Sequence, residues 1–226
     1  MAPTAPPPAL AQILLLGFIC FCLPGMYNGL IAVGLGLSDQ SLASTATSTL
    51  YGTMAVSSLV LAPGACNLLG PRLLLFGGGL TYVIYVFALI GNTDWDLASF
   101  WVVVFAGLLG VGASGLWTAQ GQLIMAYPTQ EVKASYLGYF WFIFSCGGVV
   151  GGLVVFISNF SSTSDDADDD DDDSTSDVST ATYVSFASIM AVGLLLTGLM
   201  AAPENVQRCL PTASLPAWPI ACGTGH

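Results

Sequence analysis

A chain of 226 residues with 8% charged and 54% hydrophobic side chains and a mean hydropathy of +0.77 lies far below the ~25% charge of a soluble domain, which makes the lipid bilayer its expected solvent and first partner. The net charge of −11 is local: nine of the 14 acids crowd between Asp165 and Asp177, leaving five acids against three bases elsewhere. Three scattered bases build no phosphate-binding patch, which excludes nucleic acid; with His226 as the only histidine, no nucleophile–base pair or metal cluster assembles, so no enzyme, metal or cofactor is expected.

Residues 1–9 are Pro-rich and predicted to form a disordered tail. They lack the basic n-region of a secretory signal, and the apolar run that follows is too long for an h-region, so it is expected to stay as a membrane anchor. This first helix is predicted over 10–35 and contains Pro24-Gly25; the missing amide frees the Cys20 carbonyl and predicts a kink. After a polar loop, Ser38–Ala46, a second helix is predicted over 47–69 with another breaker pair, Pro63-Gly64. Gly70-Pro71-Arg72 marks a tight turn into a third helix, 73–90, and Gly91–Asp96 forms the next loop.

The fourth and fifth helices, 100–126 and 135–156, form a pair joined by the polar turn Tyr127–Ala134. Each exceeds the ~20 uncharged residues needed to cross a hydrocarbon core. In the fourth, Gly107, Gly110, Ser114, Thr118 and Gly121 recur every three or four residues; in the fifth, Gly147/Gly151 and Gly148/Gly152 make overlapping GxxxG pairs. Such faces let helix backbones approach in lipid. Gly110, Gly112 and Gly115 also match a GxGxxG nucleotide fingerprint, but that motif needs a strand and a tight turn before a helix, and here it lies inside a long apolar run.

Residues 158–179 are low-complexity, mostly Ser, Thr and Asp, predicted as a disordered solvated spacer rather than an EF-hand, since the Gly and terminal Glu of that loop are absent. Asn159-Phe-Ser161 is a possible glycosylation sequon. A sixth helix is predicted over 180–200, and 202–226, with four prolines, as an irregular tail. The transmembrane domain is therefore 10–201. Cys20, Cys22, Cys66, Cys146, Cys209 and Cys222 suggest no disulfide framework and are taken as packing residues.

Arg72, Lys133 and Arg208 all fall on one side of such a six-span weave, while Asp39, Asp94, Asp96 and the Asp run fall on the other. Basic residues mark the cytoplasmic side, so both termini are expected there; the sequence does not say in which membrane. The spans contain no Asp, Glu, Lys, Arg or His, and candidates for lining a path are the polar Asn28, Thr118, Gln120 and Gln122 with Tyr51 and Trp117; interhelical hydrogen bonding is the plainer role for the amides. Trp117, Tyr136, Tyr139 and Trp141 serve either a cavity wall or interfacial anchoring.

Motifs in order carry a resemblance over about 10–156: Cys22-Leu-Pro24-Gly25-Met26-Tyr27-Asn28-Gly29-Leu30, Leu50-Tyr51-Gly52, Leu116-Trp117-Thr118-Ala119-Gln120-Gly121, Tyr127-Pro128-Thr129 with Glu131 and Lys133, Tyr139-Phe140-Trp141, and Gly147-Gly148. The chain resembles the UNC-93-like family, a branch of the major facilitator superfamily common in fungi. The resemblance implies an all-α membrane fold of two six-helix halves around a central path for an unknown solute, of which this chain supplies the N-terminal half. A truncated product is the favoured explanation, with pairing of two copies or supply of a second six-helix half as the alternative. The family name also implies a possible ion-channel partner and a regulatory role. In the loop motif Asn67-Leu-Leu-Gly70-Pro71-Arg72, Asn67 stands where the superfamily has an acid, so a gate based on that charge network is not implied.

Overall fold

The computed structural model describes residues 9–32, 37, 39–95, 97–165 and 180–201, with side chains at all of these except 158–165 and 180–181. The expected N-terminal tail up to residue 8, the Asp-rich stretch 166–179 and the C-terminal tail 202–226 lie outside these residues. All regular elements are helical: α1 (Ala9–Cys20), a π-helical turn (Phe21–Gly25), α2 (Met26–Ala32), α3 (Gln40–Val60), α4 (Ala62–Asp94), α5 (Ser99–Ala126), α6 (Lys133–Asp165) and α7 (Thr180–Thr197), with no strand among the described residues.

Proline chemistry sets the breaks. Pro24 donates no amide to the α-helical ladder, and the chain widens there into i→i+5 spacing, with the Met26 amide donating to the Phe21 carbonyl. Pro63 occupies the first turn of α4, where an absent N–H costs least, and α3 ends just before it.

At Gly70 the backbone takes φ +79° and ψ 158°, a region essentially reserved for glycine. The contacts reverse direction there. Along α3 and the start of α4, partners on α5 advance with the chain: Thr53 meets Gly110, then Cys66 meets Gln122. Beyond Gly70 they retreat: Leu74 meets Gly115, then Gly78 and Thr81 meet Gly112. Ala62–Leu69 therefore runs parallel to α5 and Pro71–Asp94 runs antiparallel to it.

Several boundaries differ from the sequence expectations. The predicted loop Ser38–Ala46 is helical from Gln40 because the Asp39 carboxylate accepts from the Ser41 and Leu42 amides, at 2.8 and 3.3 Å, and caps α3. The third helix runs to Asp94 rather than Ile90, since Asn92 and Thr93 satisfy their polar groups locally, on the Leu97 and Leu89 carbonyls. The fifth helix continues to Asp165, so Ser158–Asp165 is helical rather than part of the predicted spacer. That backbone includes Asn159. The first helix is described to Ala32; its predicted end, residues 33–35, lies outside the described residues.

Among the described residues, four helices are long and apolar enough to cross a membrane: Ala9–Ala32, Ala62–Asp94, Ser99–Ala126 and Lys133–Ile157. Thr182–Thr197 is apolar but shorter, and α3 is rich in Ser and Thr. The core between them is apolar and aromatic, with Ile13, Leu16, Leu23, Met26, Tyr85, Phe140 and Phe186 fully buried.

Candidate functional site

The π-turn delivers Tyr27 into the middle of the bundle. Its ring packs edge-to-face against Tyr82 and Tyr85 of α4, with centroids 5.6 and 5.9 Å away. All three are at least nine-tenths buried: Tyr27 is 5% exposed, Tyr82 3% and Tyr85 0%. Tyr82 also lies beside the Trp117 side chain, within hydrogen-bonding reach of it. Trp117 in turn stacks on Trp141 at 6.2 Å and meets Phe144 edge-on at 5.4 Å, joining α4, α5 and α6 through one aromatic wall. The Tyr51 side chain, half exposed on α3, lies within electrostatic reach of both Tyr27 and Tyr82. The Tyr27 and Tyr85 hydroxyl oxygens are buried without a hydrogen-bond partner.

Of the sequence-predicted site residues, Tyr51 and Trp117 meet this cluster. Asn28 adjoins it in the chain but is exposed, beside Gly148. Thr118 bonds the Ser114 carbonyl of its own helix at 2.8 Å. Gln120 is buried, and Gln122 accepts from the Cys66 thiol at 3.1 Å. Tyr82 and Tyr85 were not anticipated. Their spacing of three on one helix face, opposite a tyrosine beside a Pro-Gly pair, is the signal that marks them.

The small-residue seams are specific. Gly25 and Gly29 meet Gly147 and Gly151, so that a Cβ on Gly29 would lie 2.7 Å from the Gly151 Cα. Gly152, one residue on, has open space around it. On α5, Gly107 and Gly110 face Thr49, Leu50 and Thr53 of α3, where the Thr53 hydroxyl donates to the Gly107 carbonyl at 3.1 Å, while Gly112 and Gly115 face α4. The GxGxxG run is thus divided between two helix neighbours. Among the described residues no group of His, Cys, Asp or Glu could hold a metal.

One end of the bundle is tied by polar contacts. The Ala201 amide donates to Gln12 Oε1 at 2.8 Å, and the Tyr127 hydroxyl donates to the Ala201 carbonyl at 2.7 Å. Arg72, exposed beside the Gly70 reversal, lies in electrostatic reach of Tyr127, so the start of α1, the Gly70 turn and the ends of α5 and α7 share a face. Asn67 is exposed nearby in the chain. Asp39 is fully exposed; the Ser41 hydroxyl, with the Leu42 and Ser41 amides, holds its carboxyl below the ordinary carboxylate range.

Among the described residues, regular structure that is all helical, four apolar helices of lipid-spanning length and the absence of a buried charged side chain define a multi-pass helical membrane protein. Residues 41–214 match the family model for the ion channel regulatory protein UNC-93. UNC93-like protein 1 of Arabidopsis thaliana is 38% identical over 201 residues, covering 88% of this chain and 41% of the relative. An UNC93-like protein of Schizosaccharomyces pombe is 36% identical over 202 residues, covering 88% and 37%. Protein unc-93 homolog A of Bos taurus is 34% identical over 157 residues, covering 64% and 33%. The chain belongs to the UNC-93 family, whose relatives here come from plants, fungi and animals. It spans about two fifths of the length of these plant and fungal relatives.

Proposed function

We propose that the chain is a six-span bundle, one half of a twelve-helix, major-facilitator-type unit that carries a solute across a membrane by rocking around a midplane site. In this reading the spans are Ala9–Ala32, Gln40–Leu69, Pro71–Asp94, Ser99–Ala126, Lys133–Ile157 and Thr180–Thr197. As one crossing, the 33 residues of α4 would be about 50 Å long against a hydrocarbon core of about 30 Å; the reversal at Gly70 resolves that mismatch.

The observation that carries the proposal is the packing pattern. Span 1 runs parallel to span 5 through Gly25·Gly147 and Gly29·Gly151; span 4 runs parallel to span 2 through Gly110·Thr53. Span 3 crosses span 4 through Gly78·Leu116, and span 6 crosses span 1 through Gly193·Cys22. Span 3 meets span 6 through Gly79·Leu194. Exchanging the first three spans with the last three maps every one of these pairs onto another or onto itself, as in an inverted repeat. Arg72 and Lys133 at the Gln12–Ala201 end, with Asp39 and Asp94 at the other, support cytoplasmic termini.

Solute flux into proteoliposomes, compared between this chain and a full-length UNC93-like relative, tests the reading: flux by the relative, and by this chain when a second half is supplied, is expected, and no flux by either overturns it. The family's description as an ion channel regulator favours a second reading, in which the bundle binds a channel within the membrane. Co-purification with a channel, without flux, supports that alternative.

A further inference from the structure

The two unpartnered phenols are the feature the fold leaves unexplained. A buried hydroxyl without a partner is costly, and replacing it by an isosteric apolar ring is often neutral or stabilising. Two of them, Tyr27 and Tyr85, sit on touching rings from different helices. Half-exposed Tyr51 lies within electrostatic reach of Tyr27 and Tyr82, so phenols of α3, α2 and α4 gather in one part of the bundle. Phenols donate one hydrogen bond and accept others.

The charge pattern narrows the occupant. Arg72, Asp94 and Lys133 stand within two residues of span ends, the rest of the spans carry no acid or base, and an unpaired ion inside a membrane is strongly disfavoured. Aromatic faces attract cations, but Tyr27 is wedged edge-to-face between two rings, and the carboxylate these spans carry, Asp94, stands at the very end of its span. What remains complementary is a neutral molecule bearing oxygen acceptors for the two free donors and a flat or apolar body for the Trp117 wall.

We propose that Tyr27 and Tyr85, walled by Tyr82 and Trp117, form a binding site for an uncharged solute carrying carbonyl or hydroxyl oxygen. The site deepens the solute-carrier reading and rests on it for its role, though not for its binding chemistry.

The test is thermal unfolding of the full chain in lipid nanodiscs with uridine, D-glucose or benzamide at millimolar concentration, and tetraethylammonium chloride as the charged control. At least one neutral probe raises the melting midpoint of the wild type by several degrees. The Tyr27→Phe/Tyr85→Phe double variant, checked by circular dichroism for native helix content, melts no lower than wild type without probe and loses about tenfold in probe affinity, as expected for two hydrogen bonds. Each single variant loses part of the shift and carries the same test if the double variant fails to insert. The proposal is overturned if no neutral probe shifts the wild type, if the shift survives in the double variant, or if tetraethylammonium alone produces it. Binding without flux leaves the site standing and removes the carrier reading; flux unaffected by the double substitution removes the site and leaves the carrier.

Discussion

A single methyl group on Gly29 probes the α2·α6 crossing directly. The Cβ of Gly29→Ala would stand 2.7 Å from the Gly151 Cα, 2.8 Å from its carbonyl carbon and 3.0 Å from the Gly152 nitrogen. All three are backbone atoms and cannot rotate away. Non-bonded carbons settle at about 3.5–4.0 Å, so the helices must part by roughly 1 Å, a gap that forfeits a quarter to a half of the dispersion energy of the atoms lining it. Overpacking of this kind costs about 1–3 kcal/mol, offset by the ~0.5–1 kcal/mol that alanine gains over glycine within a helix. Gly152→Ala is the matched control, because nothing stands within 4 Å of its Cβ position and only the helix gain applies. The two variants should therefore differ by about 2 kcal/mol in reversible SDS-driven unfolding followed by far-ultraviolet circular dichroism. Equal stabilities, or a Gly29→Ala variant more stable than Gly152→Ala, would refute the close backbone crossing.

Other substitutions test the remaining joints. Gly70→Ala forces a side chain into the φ +79°, ψ 158° conformation and should cost about 1–3 kcal/mol, read as a lower unfolding midpoint with unchanged helix content. Tyr127→Phe removes the donor to the Ala201 carbonyl and should cost about 0.5–1.5 kcal/mol; Gln12→Leu, which strands the Ala201 amide, should cost about 1–3 kcal/mol. The Asp39 carboxyl titrates below its unfolded value, so its hold on the first turn of α3 is fully present above the ordinary carboxylate range and is lost as pH falls through the lower folded value. Hydrogen exchange corrected for intrinsic rates should show the Ser41 and Leu42 amides losing protection in that acidic window, and Asp39→Ala should abolish the pH dependence; protection unchanged by the substitution would remove the cap from the account.

Apolar run length located the cores of the helices, because lipid demands uninterrupted apolar sequence, but it did not locate their ends. Polar residues such as Asn92 and Thr93 remain helical when their groups find nearby carbonyls, and Asp39 starts a helix inside a Ser/Thr-rich stretch that looks like loop. Prolines were legible as breaks, although only the coordinates distinguish the π-turn at Pro24 from a simple kink. Overlapping GxxxG pairs announced a close contact on α6 without saying which was used: adjacent residues point about 100° apart, and Gly147/Gly151 meet Gly25/Gly29 while Gly152 meets nothing. The tyrosine cluster escaped notice because a partly polar aromatic ring in an apolar run most often anchors at the interface; its meaning depends on three rings converging from two helices, which spacing along one helix does not encode.

The central claim is that the chain weaves six times through lipid, turning at Gly70. Single cysteines at Ser41, Arg72, Trp95 and Gln130, all exposed positions, in a background lacking the six native cysteines, can be labelled with a membrane-impermeant maleimide in intact cells. The account predicts labelling at Ser41 and Trp95 from outside, and at Arg72 and Gln130 only after permeabilisation; Arg72 labelled from the same side as Ser41 and Trp95 would contradict it.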